Sequence, residues 1–489
     1  MQIMQKQFYS KSLKNINFSE NSNNIILEIY KLLNTQNLCK ELLYSGTEAG
    51  EFSFLPLDNH RELRGENTEI NNFSDIKNVE KYFTKKQLEY NLKSFNLDLP
   101  YCGGLTSAFS YDYALENAEK QKNNNTAYFA FSDVFLAFLH KKNEILICGW
   151  FENAIFWKQY SQRIENQISR LQKKLAKNLS KNLSKNLENN QNNIVNNLET
   201  KLSNIKFKNI ISRSEYLQSF KNIQKEIVLG NSFQINLSQG FTAEKPENIS
   251  AFEIFTQATK KNPAPMMCFL EWDQKSIISC SPERLFSLDK NLRIFTQPIA
   301  GTRKLTNDIH QDKKLEIELK NSEKEISEHS MIVDLLRNDF GKISEYGSVK
   351  VTDFARVEKY ATVMHLVTDI EGKLPKNKSA FDVFHAMFPG GTITGTPKTE
   401  TIKILEREEI RNRGYYCGSV GYFSLDGQAD FNILIRTLEQ TGSELYGRAG
   451  GGIVYDAPAE NEYEETLHKW AGITKIFSQN NNTIEPKDK

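Results

Sequence analysis

Two pairs of glutamates have the type and spacing for divalent-cation chemistry. Glu325 and Glu328 stand three residues apart in KEISEH, and Glu462 and Glu465 stand three apart in NEYEET. On a helix that spacing puts both carboxylates of a pair on one face. Mg²⁺ takes a few carboxylates, several waters and oxygens of its substrate, so four such glutamates could hold it, some directly and some through water. The same spacing is common on solvated helix faces, where it does no chemistry. Just before the second pair, a strand runs into Gly450, Gly451 and Gly452. Their backbone N–H groups have no Cβ to keep an anion away.

Other residues could act on an anionic substrate. Arg436 lies in FNILIRTLE, which reads as one strand with Arg436 on the face of Leu434 and Leu438. An arginine aimed at a core needs an anion, and either a substrate carboxylate or a structural Asp or Glu would serve. His365, in ATVMHLVTD, is mid-strand, where a lone histidine is more often a satisfied core residue than a catalyst. Glu283 follows Pro282 at a strand edge; burial there would raise its pKa and suit it to general-acid work. FPGGTITGTPK, from Phe388 to Lys398, is a Gly/Thr-rich turn before a helix and departs from G-x-x-x-x-G-K-[ST], so a nucleotide is not expected. Asp334, Arg337 and Asp339 read as an internal ion network. G-x-S-x-G is absent, and no cysteine sits in a G-x-C-x-G turn. If the chain uses glutamine nitrogen, another chain must release it.

The elements that carry these residues indicate an α+β fold. Lys40–Tyr44 reads as a short apolar run, and strands are expected at Tyr128–Leu139, Glu144–Phe151, Phe233–Ser238, Met267–Trp272, Ser276–Ser279, Leu285–Leu288 and Arg293–Thr296, with three more between Tyr415 and Val454. Helices are expected over Ser212–Leu229, as one long charged helix over Gln311–Val333, before Pro389, after Pro397 and over Glu460–Phe477. Strands alternate with whole helices without regular βαβ spacing, which excludes a Rossmann or TIM arrangement. From Ser161 to Leu202 the chain is polar, with KNLS-KNLS-KNLE and leucines at 171, 175, 179, 183 and 187. A surface helix joining two subdomains suits this better than a coiled coil. The expected division is 1–160 as an N-terminal subdomain, 161–205 as an Asn/Lys-rich helical insert or linker, and 206–480 as the catalytic domain.

The 489 residues carry 62 Lys+Arg against 61 Asp+Glu, a net charge of +1 that argues against nucleic acid as partner. No run of eighteen apolar residues predicts a membrane span, and the first residues lack the apolar stretch of a secretory signal. Six scattered cysteines show no metal spacing and suit buried thiols in a reducing cytoplasm.

In order along the chain, PIAGTR (Pro298–Arg303), EHSMIVDLLRNDFG, MHLVTDIEGKL, FPGGTITGTPK, CGSVGYFSLDG, IRTLE and GGGIV…NEYEETLHK resemble the chorismate-utilising enzymes. This family includes the large subunits of anthranilate and aminodeoxychorismate synthases, with isochorismate and salicylate synthases as relatives. The match covers about Ser212 to Phe477; LLYSG, GEFSFLP and GGLTSAFSYDY extend it into the N-terminal part. The resemblance implies a composite α/β fold with a two-subdomain β-sandwich core and Mg²⁺-dependent chemistry on chorismate. By position, Glu328 and Glu465 resemble direct metal ligands, with Glu325 and Glu462 acting directly or through water. Tyr416, Arg436, Gly450–Gly452 and Lys469 resemble the carboxylate grip, and Ala300 and Gly301 fall in a substrate-binding segment. Glu283 resembles the acid that protonates the departing C4 hydroxyl; His365 and Thr302 belong near the reacting ring.

The family's branches differ in their nucleophile. Isochorismate and salicylate synthases activate water with a lysine where this chain has Gln234, so ammonia from a glutamine amidotransferase subunit is expected instead. DLLRND, GGTITGTPK and LLYSG resemble the aminodeoxychorismate form. Ala300 instead matches anthranilate synthases, where aminodeoxychorismate synthases often have a lysine. The reading leans to the aminodeoxychorismate form, with anthranilate synthase as the alternative. A ligand-binding homologue without activity would be expected to lose the metal carboxylates first, and all four are present.

Overall fold

In the computed structural model the described residues are 5–13, 22–45, 50–57, 76–115, 127–183, 198–306, 308–359 and 363–478. Apolar runs such as VFLAFL at Val134–Leu139 are buried along their whole length, as strands covered on both faces are. Among the described residues these runs assemble into two antiparallel sheets of 12 and nine strands. The larger runs Gln7–Ser12, Glu144–Phe151, Val134–Leu139, Phe52–Leu57, Glu41–Tyr44, Met266–Trp272, Lys275–Ser281, Thr437–Thr441, Glu444–Ile453, Gln234–Glu244 and Gly395–Thr396, with Lys208–Asn209 beside Gln234–Glu244. The smaller runs Ile299–Lys304, Val363–Lys373, Arg293–Thr296, Arg284–Leu288, Ala429–Asn432, Ser419–Ser424, Gly104–Phe109 and Ala127–Ser132, with Lys350–Lys359 on Val363–Lys373.

The sheets face each other as the expected α+β sandwich. Phe54 and Phe135 of the larger sheet pack on Tyr101, and Phe54 lies 6.2 Å from the ring of Tyr422 on the smaller sheet. Phe109, Phe384 and Phe431 continue this core, with the first two rings 4.1 Å apart. Burying a side chain of this size contributes about 1.5–3 kcal/mol. A second core covers the outer face of the larger sheet with residues of the helices Ser22–Asn34, Ala154–Leu183, Ala251–Lys261 and Ala459–Thr474. On Ala154–Leu183, Trp157, Ile164 and Ile168 are the buried stripe; Leu187 lies outside the described residues. All six cysteines are buried. No helix among the described residues is long and apolar enough to cross a membrane.

Three segments differ from their sequence reading, the first being Tyr128–Leu139, which is two strands in different sheets, Ala127–Ser132 and Val134–Leu139. The helix expected over Gln311–Val333 is two, Ile309–Asn321 and Glu323–Gly341. Ser322 breaks it: its backbone is extended and its hydroxyl accepts the N–H of Glu325, capping the second helix. Between Tyr415 and Val454 there are four strands rather than three, Ser419–Ser424, Ala429–Asn432, Thr437–Thr441 and Glu444–Ile453. FNILIRTLE is not one strand. Its first part belongs to the smaller sheet and its last to the larger, and between them Arg436 takes a left-handed φ of 51°. Side-chain alternation therefore does not carry through Arg436.

Lys275–Ser281 and Arg284–Leu288 likewise belong to different sheets, and Glu283 lies between them. The two crossings run side by side, since the N–H of Ile433 donates to the Glu283 carbonyl at 3.0 Å.

Candidate active site

The paired crossings put an acid and a cation at one corner of the sandwich. Glu283 is 6% exposed, and burial pushes its carboxyl up to about 7, against the smaller opposing effects of Thr392 and the Lys469 ammonium. It therefore keeps a proton near neutrality, as a general acid must. Thr392, inside the Gly/Thr-rich turn, was not singled out in the sequence. Arg436 is in no ion pair with a carboxylate among the described residues, and burial holds its guanidinium below its ordinary pKa. Of the two anions its sequence position allowed, the structural one is absent among the described residues.

His365 sits on Val363–Lys373 opposite Thr302. Its Nδ1 is 3.0 Å from both the Gly301 carbonyl and the Thr302 hydroxyl. A carbonyl can only accept, so Nδ1 carries the hydrogen and Nε2 is the basic nitrogen. Burial, and then the Arg436 charge, lower its pKa and favour the neutral ring, while the Gly301 carbonyl and Glu358 oppose this. Ala300 pairs with Leu366, and a bulge between Ala300 and Thr302 gives Gly301 a φ of 57°. A Cβ on Gly301 would lie 2.9 Å from Glu325 Oε2, so the glycine lets the capped helix approach this strand.

That helix brings the first glutamate pair to the second. Glu328 is pushed up by burial and by the charges of Glu325 and Glu465, with Lys324 opposing. Glu462 is pushed up to about 7 by burial and Glu465, with a smaller contribution from Glu328. Carboxylates that raise one another's pKa suit a hard divalent cation, which would offset the repulsion. Here three of the four are drawn to cations of their own: Glu325 to Arg303 at 3.0 Å, Glu328 to Lys324 at 3.7 Å and Glu465 to Lys469 at 2.7 Å. In that arrangement no group of three or more His, Cys, Asp or Glu among the described residues closes on a metal position. The donor chemistry fits Mg²⁺; the side-chain rotamers are those of ion pairs.

Gly450, Gly451 and Gly452 lie within the strand Glu444–Ile453, paired with Ser238, Leu237 and Asn236. The ladder to Thr437–Thr441 ends at Gly447, so beyond it the strand has a ladder neighbour on one side. A Cβ on Gly451 would come 3.1 Å from Glu462 Oε2, and one on Gly452 would come 2.3 Å from Gln234 Nε2. Lys469 donates to the Gly450 carbonyl at 2.9 Å and so ties this strand to the glutamate helix. Contacts and mutual electrostatic effects thus link Glu283 through Lys469, Glu465, Glu462, Glu328, Glu325 and Gly301 to His365 and Arg436. Tyr416 stands apart from this circuit. It is buried between the sheets with Cys417 beside it and the Arg413 guanidinium 5.9 Å from its ring.

Adjacent sheet crossings thus carry a buried acid and an arginine with no carboxylate partner among the described residues. The chain belongs to the chorismate binding enzyme family, whose sequence profile matches residues 40–475. It is 35% identical over 387 residues to anthranilate synthase component 1 of Lactococcus lactis, covering 78% of this chain and 80% of that one. It is also 41% identical over 254 residues to aminodeoxychorismate synthase component 1 of Bacillus subtilis, covering 52% and 53%. Several matches of this kind span only about half the length of the curated relative. The solved anthranilate synthase component I of Streptococcus pneumoniae superposes with a TM-score of 0.62 at 26% identity, covering 88% of this chain and 93% of that one.

Proposed function

We propose that this chorismate-utilising enzyme aminates chorismate to 4-amino-4-deoxychorismate, with ammonia supplied by a glutamine amidotransferase subunit. The observation that carries the reading is that adjacent sheet crossings hold Glu283, raised to about 7 by burial, and an Arg436 with no carboxylate partner among the described residues. Arg436 would take a substrate carboxylate. Glu283 would give its proton to the C4 hydroxyl oxygen, which leaves as water while a C–N bond forms to ammonia. The proton that the new ammonium nitrogen releases balances the one given up. His365, oriented by Gly301 and Thr302, would face the ring as a neutral imidazole. Glu328 and Glu465, with Glu325 and Glu462 directly or through water, would hold Mg²⁺, which when bound screens the charge of the ring carboxylate.

Gln234 at the position of the water-activating lysine favours ammonia as nucleophile. The amino-transfer branch has two members, and DLLRND and GGTITGTPK favour 4-amino-4-deoxychorismate. Ala300 supports a second reading, anthranilate with release of pyruvate. It also favours direct addition of ammonia over a covalent lysine adduct. The test is to incubate the chain with chorismate, Mg²⁺ and an ammonium salt and identify the product by mass spectrometry. An amino-chorismate that keeps its enolpyruvyl ether is expected; anthranilate plus pyruvate, or isochorismate, would overturn the proposal.

A further inference from the structure

A cavity of about 370 Å³ opens where the turn at 110–112 and the loop at 411–415 meet the ends of Lys275–Ser281 and Thr437–Thr441. It shares no lining residue with the site above. Asp112 and Glu439 stand in its wall, held by backbone donors: Gly414 N–H to Asp112 at 3.2 Å and Tyr415 N–H to Glu439 at 2.6 Å. Neither carboxylate is in an ion pair among the described residues. The neighbouring Arg411 is committed elsewhere, to both oxygens of Glu444 at 3.0 and 3.2 Å and to the ring of Tyr446 at 4.1 Å.

Three more oxygens in this wall have no hydrogen-bond partner: the second oxygen of Asp112, the Tyr415 hydroxyl and the Ser110 hydroxyl. These residues are 1%, 6% and 3% exposed, so solvent does not readily satisfy them. Trp272, edge-on to Tyr415 at 5.7 Å, closes one side with aromatic surface. Burial raises both acids, Asp112 to about 6 and Glu439 to about 8, and the Asp112 charge adds to the rise at Glu439.

A wall of acceptors with two carboxyl groups in no ion pair among the described residues, and with an aromatic side, suits a cation rich in N–H donors. No group of three His, Cys, Asp or Glu suited to a metal ion is present among the described residues. We propose that this cavity binds a protonated amine, whose N–H groups donate to Glu439, Asp112 and the Tyr415 hydroxyl. The amine has two possible sources, free ammonium or the amino group of a small amino acid. Lys275 stands in the same wall without an ion pair among the described residues, and would meet an amino acid's carboxylate. This inference does not rest on the reaction proposed above.

The test is thermal unfolding of the full chain, without chorismate, in increasing ammonium chloride or glycine at ionic strength held constant with tetramethylammonium chloride. A saturable rise in Tm with ammonium or with glycine is expected, and the responding arm identifies the source. Glu439→Gln should raise the midpoint concentration about tenfold by removing a charge-assisted acceptor. Tyr415→Phe, which deletes only an unpartnered hydroxyl, should weaken the response without loss of fold and covers the case in which Glu439→Gln fails to fold. No response in either arm, an equal response to potassium, or an unchanged midpoint in a folded variant would overturn the proposal.

Discussion

Glu283 and Glu462 are both raised to about 7, yet the two ends of the active site reach that value by different means. At the sheet crossing, burial dominates: Glu283 has no acidic neighbour among the groups that shift it, and the groups beside it pull the other way. At the helix pair, burial is joined by like charge, with Glu465 and Glu328 pressing on Glu462. The difference sets the chemistry each can do. An acid isolated by burial keeps its proton for delivery, whereas an acid crowded by carboxylates loses its proton readily once a cation arrives. One end requires the proton on and the other requires it off.

That contrast is broken most severely at Glu283. Glu283→Gln should lower kcat by about 10²–10⁴. In the unmodified enzyme the acid form is present below pH about 7 and is lost above it, so kcat should fall by about tenfold per pH unit on the alkaline side. A pH profile of kcat under saturating Mg²⁺ checks this, and an alkaline limb that survives in Glu283→Gln would assign it to another group. Glu462 gives the opposite sign: Mg²⁺ affinity should rise as pH increases through about 7, because the carboxyl must first lose its proton. Glu462→Gln should raise the Mg²⁺ half-saturation about tenfold and flatten that rise, read by the Mg²⁺-dependent shift in Tm as well as by activity. The mildest perturbation is Gly451→Ala, whose new Cβ would lie 3.1 Å from Glu462 Oε2. A movable carboxylate can yield, so a rise in Mg²⁺ half-saturation of about twofold with kcat unchanged is expected in steady-state titrations.

The sequence made the two glutamate pairs easier to read than the acid corner. Each glutamate pair was visible as an i,i+3 spacing, and the three glycines as a close approach of backbone. That the two pairs meet was not visible, since it depends on a helix start set by Ser322. The Ser322-x-x-Glu325 signature was present, but the charged residues on both sides of Ser322 are compatible with one continuous helix. The corner was harder. FNILIRTLE contains neither Gly nor Pro to mark its break, and the left-handed turn falls on an arginine. Glu283 read equally well as an exposed turn residue, because its burial comes from a neighbouring crossing distant in sequence. Strand content was legible from apolar runs, whereas the passage of two segments between sheets is a property of tertiary packing.

The order of strands in the two sheets has a consequence for truncation. None of the side chains named in the candidate active site comes from the first 150 residues. Yet Glu41–Tyr44 lies against Met266–Trp272, and Gly104–Phe109 lies against Ser419–Ser424. A protein begun near residue 206 would keep every reactive group and leave two apolar strand edges with nothing to hydrogen-bond. Such edges template association between copies. The N-terminal region thus covers both edges, and its removal should leave them open to pairing between copies.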